Sequence, residues 1–87
     1  MTSETIKVTQ KDIDDARPHE SGWSDPIQLV IFRLFDIKMV VNSAGASSAN
    51  GAIRINFPDF VGEKLNEWNL NRRMIPFEFE VELKIGP

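Results

Sequence analysis

From residue 75 to residue 85 the chain reads Ile-Pro-Phe-Glu-Phe-Glu-Val-Glu-Leu-Lys-Ile, apolar at every odd position and charged at every even position after Pro76. Side chains on a strand alternate faces. The pattern therefore predicts one long strand that turns Ile75, Phe77, Phe79, Val81, Leu83 and Ile85 to a core and Glu78, Glu80, Glu82 and Lys84 to water. The same period predicts shorter strands over 5–8, with Ile6 and Val8 inward, over 37–42, with Ile37, Met39 and Val41 inward, and over 52–57, with Ile53, Ile55 and Phe57 inward. Between the last two, residues 43–51 are small and polar and read as the long, mobile tip of a hairpin.

Helical spacing appears in three places. Thr9 and Asp12 have the form of a capping box before a short turn over 10–16. Asp25-Pro26 places a capping carboxylate before a proline at the first helical position, and Gln28 stands where a reciprocal cap would. Behind it Ile27, Val30, Ile31, Leu34 and Phe35 form a core face, while Leu29 and Phe32 make the helix apolar on most sides. Pro58 and Asp59 open a further helix with a stripe of Phe60, Val61, Leu65 and Trp68.

The order is strand, helix, strand, strand, helix, strand, and a one-sided sheet needs its helices on the apolar face. The expected architecture is an α+β two-layer sandwich: a four-stranded antiparallel sheet with two helices on one face, in ferredoxin-like βαββαβ order. It fills residues 1–87 as a single domain, with 1–4 expected to be disordered.

Composition narrows the function classes. At 87 residues the chain buries a modest core. A formal charge of −3 disfavours a dedicated nucleic-acid binder, because phosphate affinity needs clustered Lys and Arg. No apolar run reaches bilayer length and the Met-Thr-Ser-Glu-Thr start lacks signal-peptide character, so the expectation is a cytoplasmic protein without membrane contact. The absence of cysteine removes thiol catalysis and thiolate metal sites.

The residues with chemical potential have structural readings as well. Asp12, Asp14, Asp15, His19 and Glu20 lack the glycine and distal glutamate of a calcium loop, and no nucleophile accompanies His19. The expectation is therefore no enzyme, no catalytic residue, no metal and no cofactor. Glu78, Glu80 and Glu82 stand about 7 Å apart along one face. They pair with Lys7, Lys38 or Arg54 and guard an edge strand, or they form a carboxylate ladder for a basic partner. Trp23, between Gly22 and Ser24, lids the core or anchors an interface. Asn50 marks the tip of residues 43–51 as a secondary contact. Lys7, Lys38, Arg54 and Arg72-Arg73 support an alternative, single-stranded nucleic-acid binding.

The succession Ile6-Lys-Val-Thr-Gln-Lys-Asp-Ile13, Pro26-Ile27 opening an apolar helix, Phe57-Pro58 before the next, and Ile75-Pro-Phe-Glu-Phe-Glu80 resembles a group of small uncharacterised proteins encoded by bacteriophages and their bacterial hosts. In that group cysteines often precede the Pro-Ile step, where this chain has Gly22-Trp23-Ser24-Asp25, so no thiol-dependent role carries over. The resemblance implies a small α+β accessory protein. The sequence thus points to a non-enzymatic module that binds a host or viral protein through Trp23, Glu78, Glu80, Glu82 and Asn50, with a homodimer through the last strand as a further option.

Overall fold

The structure is a computed structural model and describes residues 2–85, apart from the side chains of Thr2, His19 and Ile85. Its elements are β1 (Thr2–Val8), α1 (Gln10–Ala16), a 3-10 turn (His19–Ser21), α2 (Pro26–Phe35), β2 (Val40–Asn42), β3 (Gly45–Ser47), β4 (Ile53–Asn56), α3 (Asp59–Asn71) and β5 (Phe77–Ile85). The α+β class, the antiparallel sheet and the helices on its apolar face are as expected. The counts and the order are not: three α-helices stand where two were expected, because the segment between β1 and β2 forms both α1 and α2, and the sheet has five strands in the order β1-β5-β4-β3-β2, every pair antiparallel.

The additional strand lies in the segment expected to be a mobile tip. Asn42 accepts hydrogen bonds through Oδ1 from the backbone N–H groups of Ala44 and Gly45, at 2.8 and 3.0 Å, which turns the chain after β2. β3 then pairs with both neighbours. Its Gly-Ala-Ser composition has low strand propensity, so local pattern could not reveal it, but packing requires small residues there. A Cβ on Gly45 would fall well inside contact distance of the Ile55 carbonyl oxygen, and Ala46 is buried.

This third consecutive antiparallel strand reverses the direction in which β4 leaves the sheet, and so removes the ferredoxin-like order. β4 and β5 are antiparallel neighbours although a helix joins them. The chain manages this through Arg72, whose left-handed conformation (φ 56°) ends α3 with its N–H on the Trp68 carbonyl at 2.8 Å. Residues 73–76 then return alongside the helix, where Arg73, Met74 and Ile75 face Lys64 and Glu67 across a shallow groove. Ile75 is consequently exposed rather than inward, and the strand starts at Phe77; Pro76 has no N–H to give to a ladder.

At the other end, β1 begins at Thr2 instead of residue 5. Thr2, Ser3 and Glu4 lie opposite Leu83, Glu82 and Val81, so residues 2–4 are a paired strand and not a disordered tail; Met1 lies outside the described residues.

One core fills the space between the inner sheet face and the helices. Ile6, Val8, Ile55, Phe79, Val81 and Leu83 meet Ile13 of α1, Ile27, Val30 and Ile31 of α2, and Val61, Leu65 and Trp68 of α3. Trp68 is fully buried and its indole Nε1 donates to the Ser24 carbonyl at 3.0 Å. Leu34 departs from its expected core place, lying half exposed near the end of α2. Leu29 is buried, which answers for most of that helix's excess apolar surface.

The sheet is skewed. β1 runs along residues 77–83 of β5, whereas β4 meets only residues 83–85. The notch left beside the first half of β5 is filled by aromatic rings: Phe57 and Phe60 approach Phe79 edge-on at 5.5 and 6.3 Å, and Phe77 stacks on Phe79 at 5.5 Å.

Candidate functional site

Among the described residues no helix covers the outer face of the sheet. Ser3, Thr5 and Lys7 of β1, Glu78, Glu80, Glu82 and Lys84 of β5, and Arg54 and Asn56 of β4 are all exposed on it. Strand geometry produced this face: the residues that alternate with the core positions have nowhere else to point.

β5 places the three carboxylates in a row in the interior of the sheet. Two structural explanations open to the sequence are thereby removed. The row does not guard an edge, because β5 lies between β1 and β4; the sheet ends at β1 and β2. Nor is it neutralised across strands. Lys7 is the register partner of Glu78, but Thr5 and Ser3 stand opposite Glu80 and Glu82, and Arg54 stands opposite Lys84, a like charge. Among the described residues no ammonium or guanidinium lies within 4 Å of these carboxylates. Lys38 is elsewhere, its Nζ 5.4 Å from the centre of the Trp23 ring and 3.3 Å from the Gly22 carbonyl oxygen.

That contact also places Trp23. The ring is half-buried on the helix side of the sheet, 5.3 Å from Phe32, and packs against the core under the Lys38 ammonium. It is not on the face that carries the carboxylates. Asn50 is likewise occupied: its Oδ1 accepts from the Ser48 hydroxyl at 2.8 Å and from the Ala52 N–H at 3.0 Å, and Ser48 in turn bonds Ile53, so the β3–β4 connection is a hydrogen-bonded turn. The structure brings together Glu78, Glu80 and Glu82, and leaves Trp23 and Asn50 apart from them.

The acidic group after β1 has internal partners. Asp12 is buried, accepts from the N–H and hydroxyl of Thr9 at 3.0 and 2.8 Å in the expected capping box, and receives the Arg33 guanidinium from α2. Asp14 accepts from Gln10, and Asp15 from Lys11 at 2.9 Å and Arg33 at 3.3 Å. The hydrogen bond from Lys11, with help from Arg33, holds the Asp15 carboxyl below its ordinary range. No group of three or more His, Asp or Glu side chains suited to a metal ion occurs among the described residues. At the start of α2, burial pushes the Asp25 carboxyl up, against the opposing hydrogen bonds from the Gln28 N–H at 2.8 Å and from Ser24. Gln28 does not return the cap to Asp25. It accepts from the Ser24 N–H instead and donates to the Met39 carbonyl, both within 3 Å, tying the entry of α2 to the approach of β2.

Basic residues form no continuous surface. Lys7 and Arg54 lie towards opposite ends of the outer face with the carboxylates between them, and Arg72 lies on the helix side, 5.4 Å from the Trp68 ring. No helix among the described residues is long and apolar enough to cross a membrane.

The free edge of β1 had no counterpart in the sequence reading, because Thr2-Ser3-Glu4 is polar and only its pairing with β5 identifies it as strand. Comparison of the chain with protein-family models, with curated proteins and with solved structures gave no match.

Proposed function

We propose that this protein is a non-enzymatic binding module that docks a basic region of a partner protein on the open face of its sheet, with Glu78, Glu80 and Glu82 as the contacts. The observation that carries this reading is the placement of three carboxylates, none in an ion pair within 4 Å among the described residues, on an interior strand of an open sheet face. Like charges along one strand oppose folding slightly; Lys7 stands opposite Glu78, but neither edge protection nor cross-strand pairing accounts for Glu80 and Glu82. The resemblance to small phage and host proteins fits a module that alters a host or viral protein by occupying its surface.

The test is charge reversal. Glu78→Lys, Glu80→Lys and Glu82→Lys together, in a variant whose melting curve and circular dichroism match the parent, should lose a partner that the parent retains from bacterial lysate. Equal recovery by both proteins would overturn the reading.

A further inference from the structure

β1 ends the sheet with a seven-residue edge. Among the described residues no hydrogen bond reaches its far side. In an antiparallel pair alternate residues spend their N–H and C=O groups on the neighbouring strand, so the other residues of β1 present theirs outward. Such an edge is a template for one more strand. The opposite edge, β2, has three residues and offers much less.

We propose that a basic, extended segment of the partner adds to β1 as a sixth strand, with alternate Lys or Arg side chains reaching over Ser3 and Thr5 to Glu82 and Glu80. This rests on the acidic-face reading above and specifies the form of the partner.

Three features select that occupant. The first is register: the β1 residues beside Glu82 and Glu80 are Ser3 and Thr5, short side chains that leave the path from an added strand open. An added strand lies two strand spacings, roughly 9–10 Å, from β5, a gap that a lysine or arginine on its long stem and a glutamate leaning towards it span together. The second is period. Alternate residues of any strand repeat at about 7 Å, the repeat of the carboxylates themselves.

The third is charge. Glu4 lies on the inner side of β1, half-buried, so the region around this edge holds Glu4, Glu78, Glu80 and Glu82 against Lys7 and, beyond Glu82, Lys84, a net negative surface. A second copy of the chain would bring the same excess of negative charge. Paired symmetrically about Thr5, it would set each Glu4 against an Ile6. A basic strand meets acids on both of its faces.

The experiment uses the whole protein and a decapeptide of alternating lysine and threonine. Binding is followed by calorimetry at about 0.02 M salt, and backbone amide exchange is read residue by residue. The peptide should bind, about tenfold more tightly than a decapeptide with its lysines in one block, the difference that two or three exposed ion pairs can supply. It should also slow exchange at alternate amides of β1, leaving β2 unchanged. Binding without new protection in β1, or equal affinity for the block peptide, would overturn strand addition and leave the acidic face standing. No binding of either peptide at low salt would remove both. A free protein that sediments as a dimer with alternate β1 amides already protected would assign the edge to a second copy.

Discussion

Trp68 Nε1 donates to the carbonyl oxygen of Ser24 at 3.0 Å, joining the last turns of α3 to the loop that opens α2. The indole is fully buried and also receives the Arg72 guanidinium against its ring. Trp68→Phe keeps most of the volume but leaves the Ser24 carbonyl without its donor, and should cost about 1–3 kcal/mol. Trp68→Ala should cost about 3–5 kcal/mol, a large part of the roughly 4–13 kcal/mol expected for a domain of this size. Urea titration, with the m-value as a check on the denatured state, measures both.

Arg33 joins α1 to α2 through Asp12 and Asp15. Asp12 is nearly enclosed while the arginine is half exposed, so Arg33→Met should destabilise by about 1–2 kcal/mol, below the cost of breaking a fully buried pair. Lys11→Met removes a solvated pair with Asp15 and should destabilise clearly less than Arg33→Met. Equal losses in the two variants, measured by thermal denaturation, would contradict this ranking.

Two carboxyls give the acid profile opposite slopes. Asp25 is raised by burial, so its contribution is full below the unfolded value of 3.8 and is lost as pH rises through the higher folded value. Asp15 is lowered chiefly by the Lys11 hydrogen bond; its contribution is present above 3.8 and is lost as pH falls through the folded value. Asp25→Asn retains a capping oxygen without the buried charge. It should therefore gain on the parent as pH rises from 3.8 and hold that advantage at neutral pH. Paired denaturation curves across the acid range test the sign.

Gly62 faces the turn between β2 and β3, where a Cβ would stand 2.8 Å from the Ser43 carbonyl oxygen. Alanine in mid-helix is worth up to about 1 kcal/mol over glycine, but displacing backbone in a packed contact costs about 1–3 kcal/mol. Gly62→Ala should thus be neutral to destabilising by about 2 kcal/mol. A gain in melting temperature would show that α3 is held less closely than described.

Glu80→Thr removes the middle charge of the row and supplies a good strand former. Stability should rise by roughly 0.2–1 kcal/mol, and the gain should shrink at high salt. Stability increasing while partner binding falls would identify the glutamate as retained for docking.

Much of this arrangement was legible from period alone. The alternation through 77–85 fixed the inner and outer faces of β5, and the caps at Thr9 and Asp25 marked where α1 and α2 begin. What escaped is set by contacts between distant segments. β3 consists of Gly45, Ala46 and Ser47, whose fitness for a strand depends on the closeness of Ile55. β1 reaches back to Thr2 because β5 offers it a partner. Glu78, Glu80 and Glu82 were visible as a row, yet their standing depended on strand order, which distinguishes an edge from an interior position and lies outside local pattern. Trp23 was visible as an unexplained aromatic; its place under Lys38 and against Phe32 follows from the packing of α2.

The pairing of β1 with β5 joins Val8 to Phe77 and Thr2 to Leu83, with every other element lying between them in the chain. Closing so long a loop costs chain entropy before the contacts at its ends repay it, which slows folding relative to a fold of local contacts. α2 packs on β1 from a nearby part of the chain, but Ile6 and Val8 gain Phe79 and Phe77 as neighbours only from β5. A chain in which that pairing has not formed presents both edges of β1 unpaired, a state in which strands of different chains can associate.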